Sequence, residues 1–260
     1  MPIPPGRYEL VFGNGADMRM VANGAADLVL TGPPYFSDTT EHLLKQPTKK
    51  QTEVSEVRRQ LVQYALGLRP VFREIARVLK KGGALVLQTK DIRYGGFLLN
   101  VAGIHRELAE SNGLFLVTQI HWQPKILTAG RHHIRGKVNR VGGFRAYETE
   151  SFLVFGHSSG ICPRDEKVQL SADDIDDSML PLWRVQAMGG RKIHPHQSPV
   201  EALRRFVAFY TNPGELVVDP FAGGGTTVRV AVEMGRRAIG YEIVEQYITK
   251  ARSWIDGREC

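Results

Sequence analysis

Leu216-Val217-Val218-Asp219-Pro220-Phe221-Ala222-Gly223-Gly224-Gly225-Thr226-Thr227 reads as an apolar strand ending on a carboxylate, a glycine-rich turn and the first residues of a helix. Glycine has no Cβ, so such a turn lets the backbone approach a ligand closely before the helix begins. No Gly-Lys-Ser/Thr follows, which disfavours a phosphate-binding P-loop. A lone glycine cluster is as often a tight turn that binds nothing. The next strand, Ala238-Ile239-Gly240-Tyr241-Glu242, ends on an acidic residue about 20 positions further on, where a ribose hydroxyl pair is usually held. An exposed strand-end carboxylate is the plainer reading of Glu242.

Apolar runs bounded by turn residues recur upstream at Asp27-Leu28-Val29-Leu30, Ala84-Leu85-Val86-Leu87, Leu114-Phe115-Leu116-Val117 and Phe152-Leu153-Val154-Phe155. They read as buried strands. Between them, Leu61, Tyr64, Ala65, Leu68, Phe72, Ile75 and Leu79 share a helical face, and Lys80-Lys81-Gly82-Gly83 closes that helix with cations and a glycine turn. Further helices are expected over Val200–Tyr210 and Thr226–Met234. The alternation predicts an α/β fold with a doubly wound, mostly parallel sheet, in which ligands bind beyond the carboxyl ends of strands.

A second motif falls at such an end. Thr31-Gly32-Pro33-Pro34-Tyr35 follows the strand through Leu30. Two prolines fix φ and remove two donors, leaving a rigid turn whose carbonyls can be aimed at a ligand, and Tyr35 offers a flat face suited to a planar base. A Pro-Pro turn with a packed tyrosine is the structural alternative.

The 260 residues fit one domain, 1–260, and 42% hydrophobic with 23% charged residues are ordinary values for a globular protein. Lys and Arg exceed Asp and Glu by 34 to 27, a net charge of +7 that makes a polyanionic partner plausible. Cys162 and Cys260 are too few for a disulfide framework, and no metal site is expected. No apolar run is long enough to span a bilayer and the start lacks a secretory pattern, so a cytoplasmic protein without membrane contact is expected. Residues 37–56 read as a mobile loop able to close over a site. Residues 123–147 carry Lys125, Arg131, His132, His133, Arg135, Lys137, Arg140 and Arg145 among glycines. A charge run is usually only a solvated face. Asp173-Asp174-Ile175-Asp176-Asp177 reads as a solvated surface loop.

Together the two motifs resemble the DNA amino-methyltransferases, in which an Asp/Asn/Ser-Pro-Pro-Tyr motif and a Phe-x-Gly-x-Gly motif share a Rossmann-like sheet. The catalytic motif comes first here and the cofactor motif near the C-terminus, the permuted order of the family's β class. That order argues against the RNA and protein-glutamine methyltransferases, which place the glycine loop before Pro-Pro-Tyr. Asn14 to Asp17 looks like the family's loop that sets an Asp beside the cofactor adenine. Val78 to Gly83 is similar to the segment before its central strand, and Tyr147-Glu148-x-Glu150-x-Phe152 to a strand start. His194-Pro195-x-Gln197-x-Pro199, ahead of the helix leading to Asn212-Pro213-Gly214, matches its other cofactor-side motif.

The resemblance implies transfer of a methyl group from S-adenosylmethionine to an exocyclic amine of cytosine or adenine in double-stranded DNA. Asp17, Thr31, His194, Gln197, Pro199, Asp219, Pro220, Phe221, Ala222, Gly223, Gly225, Thr226, Thr227 and Glu242 would bind the cofactor. Gly32, Pro33, Pro34 and Tyr35 would form the catalytic turn, and residues 123–147 a small basic target-recognition insertion contacting phosphates and base edges. The amine lies inside the stack, so the base must be flipped out. A homodimer and a cognate restriction enzyme are compatible with this reading.

The departure is Gly32, where the family has Asp, Asn or Ser. One missing polar contact in a transition state costs about 10²–10³ in rate. Three explanations are open: a water or another residue substitutes, the glycine is an inactivating substitution, or the chain is a non-catalytic relative that binds DNA or cofactor. An RNA methyltransferase is a third function class. Thr31 and Phe36, flanking the turn, lean toward the cytosine N4 pattern.

Overall fold

A computed structural model of the chain describes residues 7–36, 54–94, 97–123, 149–162, 168, 170–187, 193–194 and 196–257. In chain order the elements are β1 (Tyr8–Phe12), β2 (Ala26–Thr31), α1 (Val54–Val78), β3 (Leu79–Thr89), β4 (Ile92–Tyr94), β5 (Phe97–Leu99), α2 (Val101–Glu110), β6 (Leu114–Trp122) and β7 (Glu150–His157). They continue with α3 (Ala172–Ser178), β8 (Leu182–Trp183), α4 (Val200–Tyr210), β9 (Leu216–Asp219), α5 (Thr226–Glu233), β10 (Arg237–Glu242) and α6 (Glu245–Ile255).

The main sheet has the order β1-β10-β9-β2-β3-β7-β6-β8. From β1 to β3 every pairing is parallel, and β7 then runs antiparallel to both β3 and β6. Every residue of β2 and β9 is buried, as expected of parallel strands covered on both faces. Strand side chains alternate between two cores. Val29, Leu85, Leu87 and Val218 pack under α1 and α2 with Leu68, Phe72 and Ile75, whereas Leu28, Leu30, Val86 and Val217 pack on the other face with Leu203, Phe206, Val228 and Ala251 from α4, α5 and α6. This is the doubly wound, mostly parallel sheet expected from the strand pattern.

Three expectations are corrected. Residues 54–56, assigned to a loop, form the first turn of α1, where Glu56 accepts hydrogen bonds from Arg59 and Gln60; residues 37–53 of that loop lie outside the described residues. Lys80 to Gly83 does not simply leave the helix: β3 already begins at Leu79, and the four residues form an excursion between the pairs Ala26↔Leu79 and Leu28↔Ala84. There Gly82 has φ +80°, and a Cβ on Gly83 would stand 2.8 Å from the Asp27 carbonyl oxygen. Asp173 to Asp177 is not a loop but α3, capped by the Ser171 hydroxyl accepting from the Asp174 amide. Carboxylates near a helix N-terminus favour it, and Asp174 and Asp177 lie 3.7 and 3.8 Å from the guanidinium of Arg205, which is buried on α4 against Trp183.

Candidate active site

Because β2 and β9 are parallel neighbours paired through Leu28↔Val217 and Val29↔Val218, their carboxyl ends lie side by side. The Thr31 hydroxyl donates to Asp219 Oδ1 at 2.5 Å, joining the strand before the Pro-Pro turn to the strand before the glycine loop. Asp219 also accepts from the Phe221 amide at 3.0 Å and from Thr227. Burial pushes its pKa up to about 6, against the pull of the bonds from Thr31, Thr227 and Phe221.

The glycine loop is held by Glu242, whose two carboxylate oxygens accept from the Gly223 amide at 2.9 Å and the Val244 amide at 2.8 Å. Gly225 precedes α5 with φ +76°, and a Cβ there would meet Ala251 Cβ at 2.9 Å, so glycine is required for both conformation and space. Gln197 braces the loop from outside, accepting from the Ile193 amide at 2.9 Å and donating to Thr226 at 3.4 Å. The His194 ring meets Tyr247 edge to face at 4.7 Å.

The Pro-Pro turn is held by a buried polar chain. Tyr64 on α1 donates to the Pro34 carbonyl at 3.0 Å, His105 Nε2 lies 2.8 Å from the Tyr64 oxygen, and His105 Nδ1 lies 2.8 Å from Thr89 Oγ1. With a neutral ring only one set of protons satisfies all three: Thr89 donates to Nδ1, Nε2–H donates to Tyr64, and Tyr64 donates to Pro34. Burial lowers the His105 pKa to about 3, so the ring is neutral and this set of protons holds. Burial raises the Tyr64 phenol well above its ordinary value.

Beyond the turn, the Tyr35 hydroxyl donates to Glu150 Oε2 at 3.1 Å and its ring meets His196 at 4.4 Å between centroids. Gln88, the penultimate residue of β3, donates from Nε2 to the same Glu150 oxygen at 2.6 Å, and Lys90 stands 3.7 Å from Oε1. The other Gln88 amide atom, Oε1, is buried without a hydrogen-bond partner. Such an atom costs about 1–3 kcal/mol unless a ligand or water satisfies it.

These parts open onto one cleft of about 1220 Å³. Of the expected residues, Gly32 to Tyr35, His194, Gln197, Asp219 to Gly223, Thr226, Thr227 and Glu242 line it. Thr31, Pro199, Gly225 and Asp17 are not among its lining residues; Asp17 is ion-paired with Arg19, while Gly13, Asn14 and Gly15 of the same loop form the lining. Lys125 to Arg145 lie outside the described residues. Tyr64, His105 and Gln88 were not singled out as site residues; Gln88 carried a usable signal, since it sits at the carboxyl end of a strand neighbouring β2. Among the described residues no group of three or more His, Cys, Asp or Glu could hold a metal ion.

Three similarities accompany this geometry. The chain is 27% identical to the type II methyltransferase M.BglII of Bacillus subtilis, over 94% of this chain and 68% of that protein. It is 25% identical to the type II methyltransferase M.MjaI of Methanocaldococcus jannaschii, over 91% of this chain and 87% of that one. The fold superposes with TM-score 0.73 and 21% identity on a putative DNA modification methylase of Thermus thermophilus solved with S-adenosyl-L-methionine, covering 96% and 94% of the two chains. With a family model for DNA methylases matching residues 26–253, and both of its motifs meeting in one cleft, the chain belongs to the DNA methylase family of N6 and N4 amino-methyltransferases.

Proposed function

We propose that this protein is an S-adenosylmethionine-dependent DNA methyltransferase that methylates the exocyclic amine of a flipped-out base, cytosine N4 in preference to adenine N6. The observation carrying the reading is the Thr31–Asp219 hydrogen bond, which ties the strand before the rigid Pro-Pro turn to the strand before the glycine loop at one cleft. The residues present fit the cofactor: Gly223 and Gly224 bring backbone to the cleft surface, and Glu242 lines it with a carboxylate already fixed by two amides. Carboxylates can accept further bonds on their remaining lone pairs, here from a ribose diol. When bound, S-adenosylmethionine supplies an electrophilic methyl on a positively charged sulfur.

The protein's own residues then bind and orient the base. Tyr35 stacks on it, fixed at its hydroxyl by Glu150. The Pro34 carbonyl is occupied by Tyr64, which locks the turn and leaves the Pro33 carbonyl to accept from the amine. Thr31 and Phe36 flanking the turn support cytosine. Lys125, Arg131, His132, His133, Arg135, Lys137, Arg140 and Arg145 supply phosphate and base contacts to the duplex.

Nucleoside mass spectrometry of duplex DNA treated with the protein and S-adenosylmethionine tests this, because the two products differ in mass and retention. N4-methylcytosine is expected. N6-methyladenine would overturn the base assignment, and stronger methylation of RNA than of DNA would overturn the substrate. Gly32 favours a second reading, a binding protein without turnover; cofactor and DNA binding with no methyl transfer would establish it.

A further inference from the structure

Gly32 removes a hydrogen-bond acceptor at the point where the family's chemistry needs one, and the neighbouring residue in the cleft lining, Gln88, carries a side-chain acceptor without a partner. A Cβ on Gly32 would stand 3.6 Å from Gln88 Cβ and 3.7 Å from the Gln88 carbonyl oxygen, so the two residues share one corner of the cleft. Gln88 is 9% exposed. Its orientation is settled by its partner: Glu150 can only accept, so the Gln88 NH₂ faces the carboxylate and Oε1 is turned away from it, buried and unpartnered. Gln60 on α1 has a similar orphan oxygen in the cleft wall, but its place beside Glu56 is remote in sequence and element from Gly32. Glu150 holds Gln88 and Tyr35 through a single oxygen, so the acceptor and the stacking ring are set relative to one another.

We infer that Gln88 is a catalytic residue of this enzyme: its Oε1 accepts a hydrogen from the exocyclic amine and replaces the side chain that Gly32 lacks. The inference rests on the methyltransferase function proposed above. Accepting that hydrogen draws the nitrogen lone pair out of the ring system. The pair then forms the N–C bond as the S–C bond breaks and its electrons pass to sulfur, and the surplus proton on nitrogen leaves to water. Gln88 stays neutral throughout. Glu150, one bond further back, is a positioning residue.

The test is single-turnover transfer of labelled methyl to amplified, methylation-free genomic DNA by the wild-type chain, Gln88→Leu, Gly32→Ser and the double variant. Calorimetric binding of S-adenosylmethionine and the circular-dichroism melt are measured on each. Gln88→Leu is expected to lose about 10²-fold in rate, the scale of a deleted transition-state hydrogen bond, with cofactor affinity unchanged. Gly32→Ser in that background is expected to restore at least tenfold, since the space for a Cβ is present. If Gln88→Leu does not fold, Gln88→Asn shortens the arm by one methylene and is expected to lose rate in the same way. A loss under threefold, or no restoration by Gly32→Ser in the double variant, overturns the role of Gln88. An inactive wild type activated by Gly32→Ser also overturns it while leaving the family's chemistry intact. Absence of transfer from both wild type and Gly32→Ser, with cofactor still bound, defeats the methyltransferase reading itself.

Discussion

Replacing Asp219 by Asn tests whether burial or hydrogen bonding governs the carboxylate at the junction of the two motifs. Asp219 accepts from Thr31, Thr227 and the Phe221 amide, which favours ionisation, yet burial dominates and raises its pKa from 3.8 to about 6. The folded state therefore holds its proton over a window, between 3.8 and about 6, in which the unfolded chain has released it. The native state binds more protons there, so stability falls as pH rises through that window and is level above it. A shift of about two units at 1.36 kcal/mol each makes the loss roughly 3 kcal/mol. The amide of the Asp219→Asn variant has no such titration. Urea denaturation of wild type and Asp219→Asn from about pH 3.5 to 8 isolates the contribution, because the other carboxylates cancel in the difference. The variant is expected to gain about 3 kcal/mol on wild type between about pH 4 and 7. A flat difference, or one in which wild type gains as pH rises, would refute the reasoning and show that the hydrogen bonds prevail over desolvation.

Tyr64→Phe deletes the donor to the Pro34 carbonyl and the acceptor for His105, leaving two buried groups unsatisfied; a loss of about 2–4 kcal/mol is expected in chemical denaturation. Tyr35→Ala is expected to abolish methyl transfer while calorimetry shows cofactor binding unchanged, since the ring, held beside His196 and Glu150, is the base-stacking surface in the function proposed above. Gly225→Ala meets both a left-handed backbone and the Ala251 side chain, and a fall in denaturation free energy of about 1–3 kcal/mol is expected with weakened cofactor binding. Arg205→Met leaves the Asp174, Asp177 and Glu201 carboxylates without their shared cation and is expected to lower the thermal midpoint by a few degrees, with methyl transfer unaffected.

The centre of the sheet was legible because β2 and β9 are buried on both faces: Leu28 to Leu30 and Leu216 to Val218 are continuous apolar runs bounded by turn residues. The glycine loop and Pro-Pro turn were legible for a different reason, since their backbone demands restrict residue choice. α3 was missed because Asp173 to Asp177 offers no apolar period, and its order comes from a serine cap and a cation on another helix. β8, two residues long, was missed because its pairing with His121 and Trp122 is set by tertiary position. Tyr64 read only as a core residue. Its hydroxyl reaches Pro34, 30 positions away, and nothing in its helical spacing marks that end of the side chain as a hydrogen-bond donor to the turn. Glu150 was placed at a strand start, but its convergence with Tyr35 and Gln88 is a product of the β3–β7 pairing, in which Gln88 lies opposite Phe152.

Trp122 and Glu150 are register partners on adjacent antiparallel strands, so residues 123–149 leave and re-enter the sheet at one rung of the ladder. Such an attachment tolerates changes of length and composition in between, because the sheet registers only the two ends. The re-entry residue is Glu150, which also fixes Tyr35 and Gln88. The sheet sets no length or composition between the two ends, while the residue that closes the segment is bound to the cleft through Tyr35 and Gln88. If the segment reads the target, as proposed above, its sequence can be renegotiated while the residue that anchors its return stays tied to Tyr35 and Gln88.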